Sequence, residues 1–353
     1  MSRITERLQI KYPLIQAPMA GGITTSDLVV AVSNHGALGM IGAGYMNAVA
    51  LQKQIKQIKQ RTTAAFGVNV FVPGAIEWDS KRLSTSKELL QPYYERYYLR
   101  MEDISLPTEK ELNDNYKQQL ECIIEEKVSI CSFTFGVPSP ETIKQLHEHD
   151  VIVIGTATTV KEAMLIEELG MDMVVLQGAE AGGHRGNFLA DPLDSQIGLM
   201  ALIPQVADRI SIPIIAAGGI MDQRGLHAAL CLGADAVQMG TAFVLTKESG
   251  AHPLHKESII EASGDDTVLT NVFSGKYARG IRNDFIDEMN QKNPALPTYP
   301  IQNVLTQPLR KAAKAENDSG LMSLWSGQGA SLGRKQTVKE LIQELMENNA
   351  SNY

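Results

Sequence analysis

Short runs of apolar residues recur along the chain and alternate with longer stretches that carry one apolar face. Eight of these runs are nearly continuous in hydrophobic residues, as is typical of parallel strands that are covered on both faces. The predicted strands are residues 14–17, 38–41, 65–71, 128–133, 151–154, 173–177, 213–217 and 236–239. Amphipathic helices are predicted between them at residues 27–33, 48–60, 140–149, 160–169, 196–207 and 224–232.

The regular alternation of strand and helix determines the predicted fold class. Repeated strand–helix units within about 260 residues match the size and rhythm of a TIM (β/α)8 barrel, in which helices surround a closed parallel sheet. We therefore predict an α/β protein built on a TIM barrel. A doubly wound open sheet is the alternative, because it shows the same alternation.

Two segments interrupt the alternation. Residues 78–121 are polar and rich in tyrosine, and we predict a helical insertion that is either a lid or wall of the site or a solvated decoration. Residues 265–324 lose the strand–helix pattern and are predicted to form a small appended subdomain. The predicted organisation is a barrel in two parts (1–77 and 122–264), the insertion (78–121), the subdomain (265–324) and a C-terminal link (325–353) with a helix at 337–347.

The composition narrows the classes of function. The chain has 353 residues, 44% of them hydrophobic, and a net charge of -8, which argues against nucleic acid or an anionic membrane as its main partner. We expect no secretory signal, because the charged start lacks an apolar stretch, and no membrane span, because the apolar runs are too short. The three cysteines are widely spaced and form no disulfide framework, so a cytoplasmic location is expected.

Two glycine-containing turns follow the last two predicted strands. Gly218 and Gly219 come after the seventh strand, and Gly240 and Thr241 come after the eighth. Glycines let the backbone approach a ligand closely, and free amides at such turns form a nest for a phosphate group. Because TIM barrels carry phosphate sites after strands seven and eight, we predict a phosphate site here rather than two plain turns.

Residues at other strand ends favour a flavin mononucleotide. Gly42 and Gly44 begin like a dinucleotide fingerprint but lack its third glycine, so a mononucleotide fits better. Asn69 and Gln177 can each donate and accept hydrogen bonds, which matches the alternating polar edge of an isoalloxazine ring. Backbone contacts are expected from the residues after the first strand, Ala17, Pro18 and Met19.

One histidine lies where a catalytic residue is expected. His184 follows Gly182 and Gly183 just past the sixth strand, at the face of the barrel that carries active sites. The other histidines fall in predicted helices or loops and are expected to be structural: His35, His147, His149, His227, His252 and His255. No carboxylate motif accompanies any of them, so no metal site is predicted.

Several of these stretches resemble those of the nitronate monooxygenases, formerly called 2-nitropropane dioxygenases. The resemblance lies in residues 16–19, 67–69, 177–186, 217–220 and 238–241, and it extends over nearly the whole chain. It implies a TIM barrel with a smaller second domain that binds FMN without a covalent link. It also implies that His184 is the catalytic histidine. Thr134 departs from the pattern, since some relatives have a histidine in that place.

The residues and the resemblance together give one set of candidate cofactor contacts. This set, which the resemblance assigns to FMN, comprises Ala17, Pro18, Met19, Asn69, Gln177, Gly182, Gly183, Gly218, Gly219, Gln238, Met239, Gly240 and Thr241.

The resemblance implies that FMN and O2 oxidise an alkyl nitronate, such as propionate 3-nitronate, to a carbonyl compound and nitrite. His184 would bind the nitronate oxygens, or remove the α-proton of a neutral nitroalkane with a pKa near neutrality. Arg185 either adds positive potential or forms a surface ion pair. The expected partners are the nitronate and O2, and a homodimer is left open.

Three other functions compete with this interpretation. An FMN-dependent enoyl-acyl carrier protein reductase that uses NAD(P)H would share the barrel and the segment at 182–184. A flavin-free barrel of the inosine-monophosphate dehydrogenase type would need a cysteine nucleophile on a loop, and the cysteines lie elsewhere. A non-catalytic FMN-binding protein would not need His184. The insertion, the adjacent His184 and Arg185, and the overall length favour nitronate oxidation.

Overall fold

The computed structural model describes residues 3–346, apart from the side chain of Arg3. Its strands are β1 (Leu14–Gln16), β2 (Gly39–Gly42), β3 (Phe66–Phe71), β4 (Ile130–Thr134), β5 (Ile152–Ala157), β6 (Met173–Gln177), β7 (Gly183–His184), β8 (Ile214–Ala217), β9 (Ala236–Met239), β10 (Thr267–Thr270) and β11 (Ala278–Ile281).

Eight of these strands form one parallel sheet that closes into a barrel. Their order is β1-β9-β8-β6-β5-β4-β3-β2. The two ends of the sheet meet where Ile15 pairs in parallel with Leu38, and the Gln16 amide donates to the Leu38 carbonyl at 2.9 Å. The predicted TIM barrel is therefore confirmed, and the open sheet is excluded.

Helices surround the barrel, close its bottom and form the core beside it. They are α1 (Arg3–Leu8), α2 (Ser26–Asn34), α3 (Ala48–Lys59), α4 (Ser80–Arg96), α5 (Glu109–Glu125), α6 (Pro140–Glu148), α7 (Val160–Glu168), α8 (Leu199–Ala207), α9 (Gln223–Cys231), α10 (Thr241–Val244), α11 (Pro253–Glu261), α12 (Asp284–Lys292), α13 (Ile301–Ala315) and α14 (Val338–Met346). The predicted helix at 337–347 corresponds to α14, and its residue 347 lies outside the described residues. No helix in the part of the chain that the structure describes is long and apolar enough to cross a bilayer.

Local capping explains where these helices begin. Side chains of Thr25, Asn47 and Asp222 accept hydrogen bonds from amides in the first turns of α2, α3 and α9. Helix α8 begins three residues later than predicted, at Leu199, whose amide donates to the Glu180 carboxylate at 2.9 Å. That partner is distant in sequence, so the local pattern did not reveal it.

The barrel interior is filled and closed at its amino-terminal end. Ile4 and Leu8 of α1 pack in one cluster with inward-facing residues of the strands, including Ile15, Met173 and Ile215. Helix α1 therefore covers the bottom of the barrel and leaves the carboxyl ends of the strands as its open face.

A second core lies beside the barrel and joins the insertion to the appended segment. It includes Leu90 and Tyr94 of α4, Phe285 of α12 and Leu305 of α13. The Tyr94 hydroxyl donates to the Leu305 carbonyl at 2.6 Å. Helix α4 thus packs against α13, whereas α5 packs on α3 and β3 as the barrel helix between β3 and β4.

A small antiparallel sheet connects this second core to the open face of the barrel. Its order is β10-β11-β7. In the register of β7 with β11, His184 lies opposite Ala278 and Gly183 lies opposite Arg279. The predicted catalytic histidine is therefore held between the barrel and the appended segment.

Candidate active site at the carboxyl ends of the barrel strands

One large cavity opens at the carboxyl ends of the barrel strands, where TIM barrels carry their active sites. The predicted site residues that line it are Ala17, Pro18, Met19, Asn69, Gln177, Gly182, Gly183, His184, Gly218, Gly219, Gln238, Gly240 and Thr241. The structure brings these residues together from five of the barrel strands and the loops that follow them.

Met239 is the one predicted contact that does not line this cavity. Its side chain is buried in the layer between the strands and the helices, and its carbonyl accepts a hydrogen bond from the Ala17 amide at 2.9 Å. Successive side chains on a strand point to opposite faces. Because Gln238 lines the cavity, Met239 must face away from it.

Two consecutive glycines form the turn after β8. Gly218 has φ 137° and Gly219 has φ 65°, so both have the left-handed backbone that favours glycine. A Cβ atom on Gly219 would lie 3.0 Å from the side chain of Glu180. Consecutive residues in such conformations turn their amides towards one point and form an anion-binding nest. This turn therefore fits a phosphate group.

The segment after the appended subdomain returns to this part of the cavity. The Gly327 amide donates to Thr241 Oγ1 at 3.0 Å, which leaves the hydroxyl proton of Thr241 available to a ligand. A Cβ atom on Gly182 would lie 2.5 Å from the Gly327 nitrogen. The two backbones thus pass each other at a distance that only glycine permits at position 182.

The two predicted amide side chains have different surroundings. Asn69 donates to Ser132 Oγ at 2.9 Å and to Thr134 Oγ1 at 3.0 Å. Gln177 donates to the His184 carbonyl at 2.9 Å and accepts from the Gly186 amide at 2.8 Å. Gln177 therefore holds the loop that carries His184, and its role as a cofactor contact stays a prediction.

Arg185 also supports the loop that carries His184. It is completely buried, and its guanidinium donates to the carbonyls of Gly178 at 2.6 Å, Ser195 at 3.2 Å and Gln177 at 3.3 Å. Burial lowers the pKa of Arg185 to about 10, with the nearby Arg279 charge as a smaller cause. The expected surface ion pair of Arg185 is wrong, because the side chain is an internal support of the loop.

His184 forms a hydrogen-bonded chain with a residue that the sequence did not suggest. Its Nε2 lies 2.8 Å from Ser274 Oγ, and that hydroxyl donates to the Lys276 carbonyl at 2.9 Å. A serine hydroxyl has one proton and can accept two further hydrogen bonds. With the Ser274 proton directed at the Lys276 carbonyl, Nε2 is the donor to Ser274, and the neutral imidazole then carries its proton on Nε2 and its lone pair on Nδ1.

The imidazole is neutral at physiological pH. Burial, together with the smaller effects of the positive charges of Lys276 and Arg310, lowers the pKa of His184 to about 3. The sequence had suggested a pKa near neutrality. The structure changes that expectation, because a desolvated imidazole between two cations resists a third positive charge.

Both of these cations lack a carboxylate partner among the described residues. Lys276 Nζ donates to the Asn187 carbonyl at 3.3 Å, and Arg310 donates to Asn303 Oδ1 at 2.7 Å. In a chain with a net charge of -8, the surroundings of His184 are thus locally positive. Such a region attracts an anionic ligand.

Aromatic rings surround the histidine on its other sides. The ring centres of Trp325, Phe135 and Tyr299 lie 5.4, 5.8 and 6.3 Å from that of His184. Phe135 and Trp325 also line the cavity. These rings form an apolar wall beside the imidazole. None of these three aromatic residues was among the predicted site residues.

Two other histidines, His252 and His255, make structural contacts. His252 caps α11 through a hydrogen bond from the Leu254 amide at 3.3 Å, and His255 Nε2 lies 3.0 Å from the Trp325 carbonyl. Residues 3–346 contain no group of three or more His, Cys, Asp or Glu side chains that could hold a metal ion.

Comparison with known proteins gives matches over nearly the whole chain. A family model described as nitronate monooxygenase matches residues 1–348. A Bacillus subtilis protein named "Probable nitronate monooxygenase" is 46% identical over 346 residues, which cover 98% of each chain. A Staphylococcus haemolyticus protein of the same name is 44% identical over 348 residues, which cover 98% of this chain and 96% of that protein.

Two solved structures are similar in fold and sequence. The nitroalkane oxidase from Streptomyces ansochromogenes matches with a TM-score of 0.89 and 37% identity, over 97% of this chain and 96% of that protein. FabK from Thermotoga maritima matches with a TM-score of 0.75 and 32% identity, over 98% of this chain and 95% of that protein.

Proposed function

This chain belongs to the nitronate monooxygenase family of oxidoreductases, and from that premise we propose that it uses FMN and O2 to oxidise alkyl nitronates to a carbonyl compound and nitrite. The observation that carries the proposal is the neutral His184, fixed in one tautomer by Ser274 beside two cations without carboxylate partners. That arrangement suits an anionic substrate and a proton acceptor in one cavity.

The residues of the cavity fit FMN. The turn at Gly218 and Gly219 would hold the phosphate through backbone amides, with the free hydroxyl proton of Thr241 as a further donor. Asn69 and Gln238 would face the polar edge of the ring. Bound there, FMN would supply the electron-accepting and O2-dependent chemistry that side chains lack.

The protein's own groups would then bind and orient the substrate. Lys276 and Arg310 provide the positive potential that draws a nitronate towards His184. Because Nε2 already donates to Ser274, His184 would act through the lone pair of Nδ1. A nitronate has already lost its α-proton, whereas a neutral nitroalkane would need Nδ1 to remove it. The nitronate anion formed by that step would stabilise the protonated imidazole and so offset its low pKa. The aromatic wall keeps water from the reacting atoms.

An enoyl-acyl carrier protein reductase is the second candidate, and the similarity to FabK supports it. Such an enzyme would bind NAD(P)H and a thioester. The higher identity and TM-score of the nitroalkane oxidase support nitronate oxidation more strongly. The three free cysteines, two of them buried, suit the cytoplasmic location that we propose.

Two measurements test the proposal. Purified protein should be yellow, and heat denaturation should release a flavin whose mass is that of FMN. O2 uptake and nitrite release with propionate 3-nitronate should then exceed NAD(P)H oxidation with an enoyl thioester. A protein that neither contains nor takes up flavin would refute the cofactor proposal, and faster turnover of the thioester would favour the reductase.

A further inference from the structure

Phe135, which follows β4, has an unusual backbone for a bulky residue. Its φ is 73°, in the left-handed region where an aromatic side chain is strained. Glycine at position 136 follows immediately and could adopt such a conformation without strain. Strained residues persist where the surrounding structure requires them, and they cluster at functional sites. The position of the Phe135 ring therefore calls for a functional explanation.

That ring forms part of the cavity wall. Its centre lies 4.5 Å from that of Phe71, which ends β3, and 5.8 Å from that of His184, whose ring is nearly perpendicular to it. It also lies 5.6 Å from the ring of Tyr299. Phe135 thus fills the space between the end of β3 and the histidine that acts on the substrate.

The same ring also contacts a charged group. Lys276 Nζ lies 4.9 Å from the centre of the Phe135 ring, and Lys276 itself does not line the cavity. Cations are attracted to the faces of aromatic rings. A shift of the ring would break its contacts with Lys276, Phe71 and His184. These three contacts hold the ring in the cavity wall.

We propose that Phe135 determines the length of the alkyl chain that the site accepts. The substrate class is a short-chain nitronate, whose chain ends against the Phe135 ring while its anionic end lies near His184. This inference rests on the proposed function for the identity of the substrate. It can nevertheless be tested on anion binding alone, because a carboxylate has the planar shape and charge of a nitronate and is inert.

The binding experiment uses flavin-loaded protein and straight-chain carboxylates from acetate to octanoate. Trp325 lies 5.4 Å from His184 and is one of two tryptophans, so its fluorescence reports binding in a Trp78→Phe background. The measured quantity is the ratio of octanoate affinity to acetate affinity. We expect this ratio to be about 10-fold higher in Phe135→Ala than in the parent protein. Phe188→Ala is the matched control, because Phe188 is half-buried and does not line the cavity.

Two further variants separate the ring from the backbone. Phe135→Gly removes both the ring and the strain, whereas Phe135→Leu keeps an apolar side chain of intermediate size. Ala and Gly at this position should shift the length preference alike, and Leu should shift it less. A shift with Gly alone would overturn the proposal, since relief of strain would then be its cause. Unchanged preference in all three variants, with normal flavin content and melting temperature, would also overturn it.

Activity measurements distinguish this proposal from the proposed function. The ratio of kcat/KM for hexyl nitronate to that for ethyl nitronate should rise about 10-fold in Phe135→Ala. Nitronate oxidation with an unchanged ratio would refute the role of Phe135 and leave the function intact. A changed carboxylate preference without nitronate oxidation in any variant would support the role of Phe135 and refute the function.

Discussion

The imidazole Nε2 of His184 lies 2.8 Å from the hydroxyl Oγ of Ser274, a residue 90 positions further along the chain. Pairing of β7 with β11 brings the two segments together. The hydroxyl donates its only proton to the Lys276 carbonyl, so it can only accept from His184. Ser274 is thus a positioning residue that fixes the tautomer of His184.

Replacement of Ser274 tests this role. We expect Ser274→Ala to lower kcat about 10- to 100-fold, as is typical when the partner that orients a functional histidine is lost. The flavin content should stay normal, because the phosphate turn and Asn69 are unaffected. Steady-state kinetics and flavin absorbance measure both quantities. Ser84→Ala, an exposed position on α4, is the control. Unchanged kcat in Ser274→Ala would contradict the assignment of the tautomer.

Replacement of His184 should affect two substrates differently. We expect His184→Ala to lower kcat/KM for a neutral nitroalkane about 100- to 10,000-fold, the usual contribution of a general base. The loss should be smaller for the matching nitronate, because that anion has no α-proton to remove. O2 uptake with nitroethane and with ethyl nitronate measures the difference. Equal losses for the two substrates would show that His184 serves binding or orientation instead of proton removal.

The phosphate turn offers a test with a matched glycine control. Gly219 and Gly170 both have a left-handed backbone, at φ 65° and 81°, but only Gly219 lines the cavity. Alanine should cost each position about 1–2 kcal/mol of stability through backbone strain. Only Gly219→Ala should also weaken FMN binding, by about 10-fold or more, because the displaced amides no longer converge. Titration of the apoprotein with FMN measures this affinity. Equal FMN affinity in both variants would show that the phosphate does not bind at this turn.

The barrel and the glycine turns could be predicted because their signals are local. Continuous apolar runs report strands covered on both faces, and Gly218 and Gly219 follow one of them directly. The contact of His184 with Ser274 could not be predicted, since it depends on a two-residue strand, β7, too short to show a pattern. Helix α1 was not predicted either, because its six residues are too few to show a clear helical pattern.

Other features of the site depend on properties that only the fold determines. Arg185 looks like a surface residue in the sequence, yet the loop carbonyls enclose it completely. Met239 lies within a correctly predicted strand but on its outward face, which the continuous apolar run does not distinguish from the inward one. The low pKa of His184 results first from its burial and then from the charges of Lys276 and Arg310, which belong to distant parts of the chain.

Lys276 should make the reaction of anionic substrates depend on pH. Burial lowers the pKa of this lysine to about 8, the nearby Glu162 charge partly opposes that shift, and the Arg185 charge adds to it. Below pH 8 the ammonium group is charged and attracts a nitronate, and above pH 8 it loses the proton and the attraction. We therefore expect kcat/KM for a nitronate to fall as the pH rises through about 8, because kcat/KM reports the groups of the free enzyme.

The variant Lys276→Met should have a lower kcat/KM for the nitronate at pH 7, by about 10-fold, and should show no fall near pH 8. The substitution keeps the backbone of Lys276, so the hydrogen bonds that hold Ser274 remain. Its kcat/KM for a neutral nitroalkane should change less, because no charge attraction is lost. Lys81→Met, at an exposed position on α4, controls for the change in net charge. A fall near pH 8 that persists in Lys276→Met would assign that ionisation to another group, and the anion would then be attracted mainly by Arg310.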